Sequence, residues 1–176
     1  MKLKRIARGM FTICYRVEGT DCVVLDTICP IKHMIADGLF PASPLFPKFN
    51  YYYNGEVYLL ETKYYPKYRS LKNNLDPDQW KIYQTLRKIY MDTNIRDIPL
   101  DNLSEFWENR FQAIEDINLR KVMVEAIQVC RQYIDTICFE ISPRNVAIDN
   151  GKLILLDVFY DTVLLDELKQ KAKEKL

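Results

Sequence analysis

The chain has 176 residues, 48% hydrophobic and 28% charged, enough apolar material for one globular core and too much for a disordered or fibrous chain. Its 25 basic and 24 acidic side chains give a formal charge of +1, so no global field selects nucleic acid, a membrane surface or acidic substrates. Five scattered cysteines without CxxC spacing and a single His33 argue against a disulfide framework or a histidine-based zinc site, and suit reduced thiols in a cytoplasm. The apolar stretch behind the basic segment Met1 to Arg8 is broken by Arg16, Glu18 and Asp21, which excludes a signal peptide, and no apolar run is long enough to span a bilayer.

In chain order, residues 10–16 and 21–27 are β-branched and aromatic around Glu18-Gly19-Thr20, which predicts an antiparallel hairpin. Pro30 opens a short helix over Ile31 to Asp37, closed by Gly38. After the proline-punctuated loop Pro41 to Pro47, Asn54-Gly55 between aromatic runs predicts a second hairpin, Phe49 to Tyr53 with Glu56 to Tyr64. The amino-terminal region thus holds about four strands and one small helix. Its dense tyrosines (Tyr51, Tyr52, Tyr53, Tyr64, Tyr65, Tyr68) suit half-buried sheet positions or an interface.

Beyond Pro66 the apolar spacing becomes helical. A helix capped by Asp76 or Asp78 runs through Tyr90, a second starts at Asn102 or Ser104, and a third runs from about Asn118 to Thr136. A hairpin then turns at Asp149-Asn150-Gly151, and a last helix starts near Thr162 and ends in a solvated tail with Lys169, Lys171, Lys173 and Lys175. The fold class is α+β: a single domain over residues 1–176, sheet-rich over residues 1–65 and helical over residues 66–176.

Residues 138–158 read CFEISPRNVAIDNGKLILLDV. This resembles the catalytic loop and metal-binding hairpin of protein kinases, in which a carboxylate accepts the substrate hydroxyl proton, an asparagine five residues later holds a metal ion, and an aspartate closes the hairpin. Glu140, Asn145 and Asp157 occupy those positions, with Asn145 and Asp157 as metal ligands. Residues 7–15, ARGMFTICY, resemble a glycine-rich phosphate loop that retains only Gly9, with Thr12 where a further glycine is expected. The form is most similar to the early serine/threonine kinases of lytic tailed bacteriophages, which shorten the fold.

That resemblance implies a minimal bilobal kinase-like fold with an antiparallel sheet lobe and a mainly helical lobe. After Asp157 it leaves no room for an activation segment or the late helices of the large lobe. It implies ATP and Mg²⁺ as cofactors, a host protein as target, and the host cytoplasm as location. Glu61, Thr62 and Lys63 fall at the interlobe hinge, where backbone groups would meet an adenine. Two departures bear on activity. Asp26 stands where the phosphate-anchoring lysine is expected, either as half of a reversed ion pair with Lys32 or as a plain strand-end residue. Glu140 is one methylene longer than the usual aspartate, and near-attack geometry tolerates little displacement. Serine/threonine phosphorylation, an inactive pseudokinase that binds and inhibits or recruits a host protein, and an unrelated α+β protein all remain open at this level.

Overall fold

In the computed structural model, which describes residues 2–94 and 98–174, the amino-terminal region is a five-stranded antiparallel sheet. Its strands are β1 (Leu3–Arg8), β2 (Thr12–Val17), β3 (Cys22–Thr27), β4 (Asn50–Tyr53) and β5 (Tyr58–Lys63), in the order β1-β2-β3-β5-β4. Both expected hairpins form. In the second, the Asn54 side-chain oxygen accepts from the amides of Glu56 and Val57, and Gly55 takes φ +102°, a conformation that disfavours a side chain.

Strand β1 is the fifth strand, one more than the sequence pattern predicts. It is an edge strand with Lys4, Arg5 and Arg8 exposed and a register shift between Arg5 and Ala7, so charge and a bulge mask its alternation. Within the sheet, Val23, Leu25 and Leu60 face one side with Phe49, and Val17, Val24 and Leu59 face the other. Helix α1 (Pro30–Ala36) covers the first side through Ile35 and Ala36, while its Ile31 and Met34 enter the core of the helical region. One short helix therefore belongs to both cores. Of the β4 tyrosines, Tyr52 packs on the outer face and Tyr51 and Tyr53 are exposed.

The carboxy-terminal region contains α2 (Pro77–Met91), α3 (Leu103–Gln112), α4 (Ile117–Arg131), two small antiparallel ladders and α5 (Thr162–Lys173). The ladders pair β6 (Ile137–Phe139) with β9 (Phe159–Asp161), and β7 (Val146–Asp149) with β8 (Lys152–Leu155). Buried aromatic rings of Trp107, Phe111, Phe139 and Phe159 pack edge-on or tilted at 5.1 to 6.1 Å across α3, β6 and β9.

The third helix is shorter than its periodicity suggests. It starts at Ile117, where the Asp116 carboxylate accepts from the amides of Asn118 and Leu119, and it stops at Arg131 rather than Thr136. The apolar residues beyond it, Ile137 to Phe139, satisfy their backbone by pairing with β9 instead. Asp76 sits at the start of α2 without capping it; its carboxylate binds Lys152 at 2.8 Å. The described fold is α+β, a sheet followed by a mainly helical unit, an arrangement compatible with a small two-lobed molecule. Lys175 lies outside the described residues.

Candidate functional site around Asp157

The loop from Glu140 to Asp157 is tied at its neck. The β6 to β9 ladder places Phe139 opposite Phe159, and the Glu140 amide donates to the Val158 carbonyl at 2.8 Å. Inside the neck the chain turns at Ser142, whose carbonyl accepts from the Asn145 amide at 3.0 Å. Arg87 of α2 donates to the Ile141 carbonyl and fixes the loop from outside. At the far end, Asn150 (φ +48°) and Gly151 (φ +80°) make the tight turn that returns the chain along β8.

This geometry brings Asn145 and Asp157 together. The Asn145 carbonyl accepts from the amides of Leu156 (2.9 Å) and Asp157 (3.2 Å). The Asn145 side chain contacts the Glu140 carbonyl at 3.4 Å. A carbonyl only accepts, so the amide nitrogen faces it and Oδ1 is left as the accepting end of the side chain. Glu140 is partly buried. Its carboxylate lies in electrostatic range of Tyr90 and Tyr160; burial pushes both phenols above their ordinary range, and the Glu140 charge adds to this, in Tyr160 after the Cys138 thiol.

The decisive contact comes from α1. The Lys32 ammonium donates to Asp157 Oδ1 at 2.7 Å, with the Lys32 side chain 8% exposed and that of Asp157 44% exposed. A buried ammonium requires such a partner. The pair borders a cavity of about 10 Å³ lined otherwise by apolar groups such as Ile31, Phe40, Phe46 and Phe159. On the far side of Leu156 a larger recess of about 360 Å³ lies between the linker residues Tyr65 to Tyr68 and Arg144, Val146 and Ala147.

The other sequence-predicted residues lie elsewhere. Asp26 is exposed and, two residues from Val24 on a regular strand, faces away from α1; it is a strand-end residue and the pair with Lys32 does not exist. Gly9 terminates β1 with its amide on the Thr12 carbonyl at 2.8 Å, but it has neither a positive φ nor a crowded α-carbon, so the fold does not demand glycine there. The Thr12 hydroxyl is taken by Thr27 at 2.7 Å. Glu61, Thr62 and Lys63 form the end of β5, paired with Val24, Val23 and Cys22 of β3, and the linker begins beyond them at Tyr64. Lys63 also forms an ion pair with Asp149 of β7.

Comparison with protein-family models and with curated proteins finds no match. The site is therefore read from its own chemistry. Among the described residues no three His, Cys, Asp or Glu side chains converge on a point. A protein-only metal cage is absent from them, whereas Mg²⁺ commonly takes one or two protein oxygens and completes its shell with phosphate and water. Asp157 and Asn145 Oδ1 fit that donor set. Lys32 is the site group that the sequence pattern does not assign to Asp157. Its one signal is a lone ammonium beside Ile31 in a helix whose apolar positions are all needed for cores.

Proposed function

We propose that the chain is a minimal kinase-like phosphotransferase that uses Mg-ATP and a protein serine or threonine as acceptor. The observation that carries this reading is the Lys32 to Asp157 contact at 2.7 Å beside Asn145. It supplies, from α1, the cation that β3 lacks. In this reading Lys32 binds phosphate oxygens, Asp157 and Asn145 Oδ1 hold the metal, and Glu140 orients the acceptor hydroxyl and takes its proton. Bound Mg²⁺ supplies charge neutralisation between the phosphates. The recess beside Tyr65 and Ala147 offers the apolar walls a base needs. The resemblance to the phage kinases gives the acceptor its class, a protein of the infected host, and the free cysteines suit a reducing cytoplasm. No helix among the described residues is long and apolar enough to cross a membrane.

Radiolabelled ATP with Mg²⁺ and a host-cell lysate tests the proposal. Label on protein is expected with the wild-type chain and is lost with Glu140→Ala and with Asp157→Ala. Equal labelling by the wild type and Asp157→Ala refutes it. A second reading, an inactive scaffold that captures a host protein, is favoured by one observation: the cavity touching the ion pair holds about 10 Å³, far below a nucleotide's volume. No melting-temperature change with Mg-ATP, together with a stable complex in the lysate, decides for that reading.

A further inference from the structure

We propose that Asn54 is a site of spontaneous covalent modification, its side-chain amide converted to a carboxylate by the turn it sits in, while the fold protects the chemically identical pair Asn150-Gly151.

The sequence holds two Asn-Gly pairs, and both lie in turns with the glycine at positive φ. In such a pair the backbone nitrogen of the glycine can attack the side-chain carbonyl carbon of the asparagine, since no β-carbon blocks its approach. The glycine N–H proton passes to water, a new C–N bond closes a cyclic imide, and the side-chain nitrogen leaves as ammonia. Water then opens the ring at either carbonyl. One opening gives aspartate; the other gives isoaspartate, in which the backbone runs through the former side chain. A water is consumed for each ammonia released, and nothing is oxidised or reduced.

The two turns meet this reaction differently. Residues 54–58 are all exposed, and nothing lies near the Gly55 α-carbon on the side where a β-carbon would stand. The Asn54 Oδ1 accepts from the amides of Glu56 and Val57, both at 2.9 Å. That oxygen is where negative charge gathers when the Gly55 nitrogen adds to the carbonyl, so two backbone donors already point at the developing oxyanion. The Tyr53 hydroxyl donates to the Gly55 carbonyl at 2.8 Å and holds the glycine in the turn. Around Asn150 the groups oppose the step. Its side-chain nitrogen donates to the Asp149 carboxylate at 3.2 Å, and the Asp76 carboxylate crowds the Gly151 α-carbon. Both carboxylates disfavour an anionic nucleophile and an oxyanion beside them. Lys63 and Lys152 offset part of that charge, but through their ion pairs with Asp149 and Asp76 they also pin the turn, as does the Asp76 amide on the Gly151 carbonyl at 2.8 Å.

The product changes a surface. Either opening places a negative charge beside the exposed rings of Tyr53 and Tyr58. Isoaspartate also lengthens the backbone next to the last pair of the β4 to β5 ladder, Tyr53 with Tyr58.

The full chain is incubated in warm, mildly alkaline buffer, folded and in parallel in concentrated urea, and peptide mapping by mass spectrometry follows the Asn54 and Asn150 peptides separately. In the folded chain Asn54 is expected to be converted about tenfold or more faster than Asn150, the modest end of what donors at an oxyanion contribute. In urea the two rates are expected to be nearly equal, because each asparagine then precedes a glycine in an open chain. The same ratio in both conditions, or faster conversion of Asn150 in the folded chain, overturns the proposal; this comparison needs no variant. Glu56→Pro removes one of the two donors and leaves Asn54-Gly55 in place. It is expected to slow Asn54 in the folded chain about threefold or more, with the Asn150 rate unchanged as the check on the rest of the fold. An unaltered Asn54 rate in that variant overturns the role given to the turn's amides.

Discussion

The unequal burial of Lys32 and Asp157 makes their contact a sharp test of the site's electrostatics. Removing Asp157 strands an ammonium whose side chain is only 8% exposed, whereas removing Lys32 strands a carboxylate that is 44% exposed and can rehydrate. Breaking a buried pair from one side costs about 3–5 kcal/mol, and the water already near Asp157 sets the expectation at the lower end, about 3 kcal/mol for Asp157→Ala. For a chain of this size that corresponds to a fall in melting temperature of about 6–12 °C. Lys32→Met places an apolar chain of similar length among Ile31, Phe40 and Phe159, and is expected to be neutral within about 1 kcal/mol. Adding Lys32→Met to Asp157→Ala should restore most of the loss, a coupling of about 2 kcal/mol or more. Urea denaturation followed by circular dichroism, on both single variants and the double, measures all three. If Lys32→Met destabilises as much as Asp157→Ala, or the double variant simply sums the two, the ammonium is not held as described.

Two further outcomes follow from other regions of the molecule. Gly151 has φ +80°, and a β-carbon there would collide with the Asp76 carboxylate, so Gly151→Ala is expected to cost about 1–3 kcal/mol in the same urea assay, against a negligible change for Gly9→Ala. Burial pushes the thiols of Cys29, Cys130 and Cys138 above their ordinary range, while the unfolded thiols ionise near pH ~8.5. The folded state therefore holds protons that the unfolded state releases, so stability is full below about pH 8.5 and declines as pH rises beyond it. Melting temperatures measured from pH 7 to 10 check the direction. An Ellman titration of the native chain at pH 8 should leave those three thiols unreacted until denaturant is added.

The sequence made some of this legible because local chemistry decided it. Asn54-Gly55 and Asn150-Gly151 each demand a turn with positive φ, and both turns form as their residues require. The proximity of Asn145 and Asp157 was likewise readable, because a tight hairpin must return the chain to where it left. The face presented by Asp26 was not. The run Cys22 to Leu25 is apolar on both sides of the strand, since one face meets α1 and the other meets Val17 and Leu59, so alternation could not say which side looks toward Lys32. The end of α4 was hidden for a related reason: Ile137 and Phe139 continue an apolar pattern, and only their pairing with β9 tells strand from helix. The partner of Lys32 lies 125 residues away, and no local pattern encodes a contact of that range. The true start of the linker at Tyr64 depended on how far β3 extends beside β5, which is again a matter of tertiary pairing.

The neck formed by β6, β9 and the Glu140 to Val158 bond closes over side chains that are themselves sunk in the aromatic core, Phe139 and Phe159. The excursion between them cannot peel away by itself, because parting the two short strands means pulling both rings into water. Local breathing of the Asn145 and Asp157 geometry and collapse of the whole helical unit thus become one cooperative event. Substitutions far from the site that loosen Trp107 or Phe111 would then be felt at Asp157 as a change in how long the arrangement persists, with its shape while intact unaltered.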